Sequence, residues 1–130
     1  MAGALAAAAG IAAASGAPAN ATSFAEAAQA ASWSRCNDIS GSPLCISVTG
    51  NLNANATVRV SYTKNSGPER FVGLYLSACG SPQGLVAQGT VGPGDTIAGS
   101  RVRYIYFNSC WVGHMRIGNT QWTTGELLTR

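Results

Sequence analysis

Residues 101–111 read R-V-R-Y-I-Y-F-N-S-C-W, a run rich in β-branched and aromatic side chains with neither glycine nor proline inside it. Side chains alternate along an extended chain, so Val102, Tyr104 and Tyr106 share one face and Arg101, Arg103, Ile105 and Phe107 the other. A strand that is bulky on both faces needs cover on both. It is therefore expected centrally in a sheet, with Tyr104 packed inside and Cys110 tying it to an earlier strand. Arg101 and Arg103 emerge at its start, about 7 Å apart by strand geometry. They are the most concrete surface feature in the chain.

Working outward, residues 57–63 (T-V-R-V-S-Y-T) alternate cleanly, with Val58, Val60 and Tyr62 inward and Thr57, Arg59, Ser61 and Thr63 outward. Residues 45–49 begin the sheet, and residues 51–55 (N-L-N-A-N) turn the chain back. Residues 64–68 (K-N-S-G-P) lead into a strand over 71–78, which ends at Cys79-Gly80-Ser81-Pro82. A shorter strand is expected over 85–90, a hairpin connection at 91–95 (V-G-P-G-D), and a separate short strand at 96–98. Residues 112–118 and 120–128 supply the last strands, parted by Gly118-Asn119. Residues 32–43 (S-W-S-R-C-N-D-I-S-G-S-P) read as polar turn material. Turn signals about every ten residues, with no helical periodicity after residue 30, indicate an antiparallel all-β sandwich or small barrel.

The first thirty residues are a different material. Residues 1–16 are almost wholly alanine with glycine, Leu5 and Ile11, and carry no charge. Small-residue triplets follow at Ala17-Pro18-Ala19, Ala19-Asn20-Ala21 and Ala28-Gln29-Ala30. This is the pattern of a secretory signal peptide, although no Lys or Arg precedes the apolar run. An Ala-rich helix or membrane anchor is the competing reading, but sixteen residues broken by Gly10 are too short to span a bilayer comfortably. We expect a leader over 1–30, with a short arm where cleavage follows Ala21 in place of Ala30, and one secreted domain over 31–130 without stable membrane insertion. That domain carries eight cationic side chains against Asp38, Glu69, Asp95 and Glu126, a net charge of +4. The charge is scattered and suits an acidic partner patch. Without a basic cluster it gives no reason to expect nucleic acid.

Cys36, Cys45, Cys79 and Cys110 all lie in the expected mature part, and an even count in a short exported chain implies two disulfides. No C-x-x-C occurs and His114 is the only histidine, so no zinc or other metal site is expected. Of the three possible pairings we expect Cys36–Cys45, closing a small loop around Ser42-Pro43, and Cys79–Cys110, joining a strand end to the run at 101–111. Chain entropy would make these worth about 3 and 4 kcal/mol.

Catalytic readings are poor. There is no G-x-S-x-G, four acids are too few and too scattered for a carboxylate pair, and Gly92-Pro93-Gly94 lacks the helix of a phosphate cradle. We therefore expect no catalytic residues, no cofactor and no enzyme activity. Aromatic residues and arginine are enriched at protein contacts, which makes Trp33, Arg35, Arg101, Arg103 and Trp111 the candidate binding residues. The plainer alternative puts the tryptophans in the core and leaves the arginines as solvated charges. Trp33 in particular serves either as a lid over one end of the core or as an exposed contact.

The chain is similar to the small secreted proteins of actinobacteria. Residues 57–62 (T-V-R-V-S-Y), Cys79, Pro93-Gly94-Asp95 and residues 103–110 (R-Y-I-Y-F-N-S-C) resemble the second half of the tendamistat-type α-amylase inhibitors, over about fifty residues. That resemblance implies a six-stranded sandwich with two disulfides. The family's inhibitory Trp-Arg-Tyr between its first two cysteines is absent; Trp33-Ser34-Arg35 precedes Cys36 here, so amylase inhibition is not carried over. In architecture alone the chain is also similar to the small β proteins that act as adaptors in the umbrella toxins, secreted antibacterial particles of streptomycetes. The expected function is a secreted, non-catalytic module that binds another secreted or cell-surface protein, as an adaptor or structural subunit. The alternatives are an inhibitor of an extracellular hydrolase, presenting residues 37–44, and a carbohydrate-binding module or small lytic enzyme.

Overall fold

The computed structural model describes residues 31–130; the expected leader over 1–30 lies outside the described residues. Eight strands follow one another: β1 (Ala31–Ile39), β2 (Ser42–Gly50), β3 (Ala54–Thr63), β4 (Arg70–Ala78), β5 (Ser81–Val91), β6 (Thr96–Ile105), β7 (Cys110–Ile117) and β8 (Thr120–Leu128). They form two four-stranded sheets, in the orders β1-β2-β3-β6 and β5-β4-β7-β8. The expected all-β class is thus realised as an antiparallel sandwich. Among the described residues there is no helix, and so none long and apolar enough to cross a membrane. Tight connections join β1–β2, β2–β3, β4–β5 and β7–β8 within a sheet. The chain changes sheets after β3, β5 and β6.

Alternation in the two middle strands of each sheet builds the core. Leu44, Ile46 and Val48 of β2 stand opposite Tyr62, Val60 and Val58 of β3, and all six are buried. From the facing sheet come Val72, Leu74 and Leu76 of β4 and Met115 of β7, with Leu74 paired to Met115. Each such aliphatic side chain contributes about 1.5–3 kcal/mol on burial. The expected inward set Val58, Val60 and Tyr62 is therefore as read. Both disulfides are formed as expected, Cys36–Cys45 between neighbouring strands and Cys79–Cys110 between the end of β4 and the start of β7. No free cysteine remains.

Three expectations are corrected. Residues 101–111 are not one central strand: β6 ends at Ile105, residues 106–109 turn, and β7 begins at Cys110. Asn108 makes the turn possible by taking a left-handed conformation, φ 67°, which asparagine tolerates better than most residues. Moreover β6 lies at the edge of its sheet, so Tyr104 is half exposed and not packed inside. Residues 96–98 are the start of this same strand, since Gly99 is no break. A side chain at Gly99 would collide with the Val86 carbonyl, and its absence lets β6 approach β5 of the other sheet. Finally, residues 31–39 are a strand and not turn material. Arg35 and Asn37, on the same strand face as the half-buried Trp33 and Ile39, are polar and exposed, so no apolar alternation announces it.

The face assignment predicts contrasting substitutions. Ile105→Ala, which empties a fully buried site, should cost about 2–5 kcal/mol in urea unfolding. Tyr104→Ala, one residue earlier and half exposed, should cost less, about 0.5–1.5 kcal/mol for the lost ring contact with Tyr106. The opposite order would show that β6 is turned over.

Candidate functional site

A sandwich of two open sheets has two gaps where edge strand meets edge strand, and polar side chains close both. At one side Arg35 of β1 donates from Nη1 to the Glu126 carbonyl of β8 at 3.0 Å, and Asn37 donates to the Thr123 carbonyl at 2.9 Å. The Arg35 guanidinium lies so close to Gly125 that a Cβ there would sit 2.7 Å from Nε. At the other side Arg101 of β6 donates to the Leu85 carbonyl of β5 at 2.6 Å, and Arg103 donates to Gln83 Oε1 at 2.9 Å. Three of the five candidate binding residues are thereby engaged in closing the fold. Trp33 is half-buried against the core. Trp111 is only 5% exposed and donates its indole N–H to Ser109 Oγ at 3.2 Å, so it is a core residue that offers no contact surface. The five candidates are not brought together: Trp33 and Arg35 lie on one edge strand, Arg101 and Arg103 on another, and Trp111 inside.

Since β6 turns its arginines toward β5, its other face looks outward. Val102 is 61% exposed, Tyr104 48%, Tyr106 60% and Phe107 66%, which leaves four large apolar side chains in water within six residues. The Tyr104 and Tyr106 rings pack on one another, centroids 5.1 Å apart and tilted by 58°. Beside them on β3, Thr57 stands opposite Val102 and Asn55 opposite Tyr104, a polar margin. The turn that carries Tyr106 and Phe107 is clamped. Thr129, fully buried, donates its hydroxyl to the Tyr106 carbonyl at 2.7 Å and accepts from the Ser109 amide at 3.0 Å. Its carbonyl accepts the Asn108 amide at 2.7 Å. These bonds fix the backbone of the turn on either side of Phe107. Sequence alone missed it because alternation tells which residues share a face, not which face is outside.

A second arrangement was also invisible in the sequence, because its members are far apart in the chain. Ser77 of β4 and His114 of β7 meet on the outer face of the second sheet, Oγ to Nε2 at 2.9 Å, in a cleft of about 390 Å³ lined by Tyr75, Arg116 and Gln121. Arg116 stacks over the Tyr75 ring at 5.5 Å. It donates to Gln121 Oε1 at 3.4 Å, which turns the Gln121 amide nitrogen toward His114 Nδ1, also at 3.4 Å. With Nδ1 accepting, the ring proton of neutral His114 sits on Nε2 and is donated to Ser77. A general base needs the opposite tautomer, with an orienting acceptor on Nδ1. No carboxylate lines the cleft to provide one. The one group of metal-ligand types among the described residues, Cys79, Cys110 and Glu126, has its two sulfurs joined to each other.

Comparison with known proteins finds no matching family model, no matching curated protein and no matching solved structure.

Partial burial lowers the His114 pKa from its ordinary value of 6.5, because desolvation disfavours the imidazolium. As pH falls through 6.5 the unfolded chain takes up this proton before the folded one does. Stability should therefore decline on going from pH 7 toward pH 5.5 and level off below the folded pKa. Urea midpoints at the two pH values should show this decline in the wild type and less of it in His114→Gln. An equal decline in both would remove His114 as its source.

Proposed function

We propose that this domain is a secreted, non-catalytic recognition module that docks another extracellular protein through Val102, Tyr104, Tyr106 and Phe107. The observation that carries the reading is the clamped, outward aromatic group on the β6 edge and its turn. Isolated apolar residues on a surface are ordinary, but a cluster of this kind with a polar margin is the composition of an interface centre. Tyrosine and phenylalanine bury large area while fixing few torsions, which suits them as anchors. Arg59, outward on β3 opposite Ser100, adds positive charge near the patch and favours a partner with an acidic rim. Two disulfides support residence in an oxidising compartment outside the cytoplasm. The role that fits is an adaptor or structural subunit of an extracellular assembly, such as a secreted antibacterial toxin particle.

An inhibitor would instead need residues 37–44 to project into an active site. The chain there is a two-residue hairpin turn, Ser40-Gly41, with φ of 52° and 87°. Its Gly41 amide is bonded to Asp38 and its Gly41 carbonyl to Asn65, which leaves little to insert. The docking reading is therefore preferred.

Capture from culture supernatant with the mature domain as bait tests it. A defined partner should be retained by the wild type and weakened at least about 10-fold by the triple substitution Tyr104→Ser, Tyr106→Ser, Phe107→Ser, with an unchanged melting curve. Equal retention by the folded triple variant would overturn the docking surface.

A further inference from the structure

The strand period that builds the core continues one residue past the end of β3. Tyr62 points in, Thr63 out, and Lys64 in again, so a cation follows the last core residue into the end of the sandwich. Lys64 is only 8% exposed, and its Nζ lies over Gly67, 3.3 Å from where a Cβ would be. Its ammonium group has no hydrogen-bond partner among the described residues. An ammonium without a protein acceptor is left to bond water or the acceptor of a ligand. The acids nearby in sequence are turned elsewhere: Asp95 accepts the Gly92 amide at 2.8 Å, Asp38 accepts the Gly41 amide at 3.1 Å, and Glu69 lies against Gly92.

Lys64 borders an open cleft of about 430 Å³ between the β1–β2, β3–β4 and β7–β8 connections. Arg70 adds a second cation to its wall, Ser40 and Ser66 add hydroxyls, and no acid lines it. Ser42 and Thr120 are polar as well, and Trp122 and Ile117 lead the apolar part of the wall. We infer that this cleft is a binding site for a small organic carboxylate with an apolar or aromatic body. The carboxylate would sit between Lys64 and Arg70, and the body against Trp122. The volume is that of an ordinary small-ligand pocket, and a few placed polar and charged groups beside apolar side chains are the usual composition of such a site. It is separate from the proposed docking surface. Thr63 pairs with Thr96 at one end of β6, whereas the aromatic group lies at the other end near Ile105, about 30 Å away along the strand.

Titration of the ¹⁵N-labelled domain with 3-phenylpropionate, followed at the Trp122 indole N–H, tests the site. Saturable shifts confined to Trp122 and residues of the 64–70 connection are expected, and the neutral amide 3-phenylpropanamide should bind at least about 10-fold more weakly. Lys64→Met should abolish the preference for acid over amide and, without ligand, melt no lower than the wild type. Arg70→Gln, at an exposed position, should weaken the acid several-fold and serves as the second variant should Lys64→Met fail to fold. No shift at Trp122, equal binding of acid and amide by the wild type, or full acid preference in Lys64→Met would each overturn the inference. The last result would mean that Lys64 only extends its ammonium to water.

Discussion

Side-chain hydrogen bonds bridge the two gaps between the sheets, on either side of the apolar core. Backbone groups at a sheet edge have no strand to pair with, and a facing edge presents the same deficit. Here Arg35 and Asn37 reach from β1 to the carbonyls of β8, while Arg101 and Arg103 reach from β6 to Leu85 and Gln83 of β5. Charge-assisted hydrogen bonds to carbonyls are among the stronger neutral-pH contacts a protein makes. The sites are fitted for them, since Gly125 leaves room for the Arg35 guanidinium and Gly99 for the Val86 carbonyl. These bonds flank a core that spans only two layers.

Closure decides the surface as well. Period-2 geometry ties the two faces of β6 together: when Arg101 and Arg103 turn toward β5, Val102 and Tyr104 turn to solvent. The aromatic group is exposed as a consequence of how the fold is shut, and the clamp from Thr129 extends that exposure through Tyr106 and Phe107. With the edge arginines engaged inside the fold, the aromatic face is the one left in solvent.

This also explains what the sequence made legible. Val58, Val60 and Tyr62 alternate with polar residues in a middle strand, where burial follows hydrophobicity, and both the strand and its inward face can be read directly. The disulfide pairs follow from strand order in the same way. At an edge the rule inverts, because the inward face needs donors for the neighbouring edge. Thus β1, with Arg35 and Asn37 on the same face as Trp33 and Ile39, reads as a turn, and Tyr104 reads as core. The turn at 106–109 carries neither glycine nor proline, only Asn108-Ser109. The Ser77–His114 contact and the Lys64 cleft join residues far apart in the chain, so only the fold brings them together.

Hydroxyl-radical footprinting of the free domain, read residue by residue by mass spectrometry, addresses the orientation of β6 most directly. Tyr104, Tyr106 and Phe107 should be heavily modified, while Tyr62 and Trp111 should be nearly untouched. Protection of Tyr104 and Tyr106 in the free domain, at the level of Tyr62, would contradict the account.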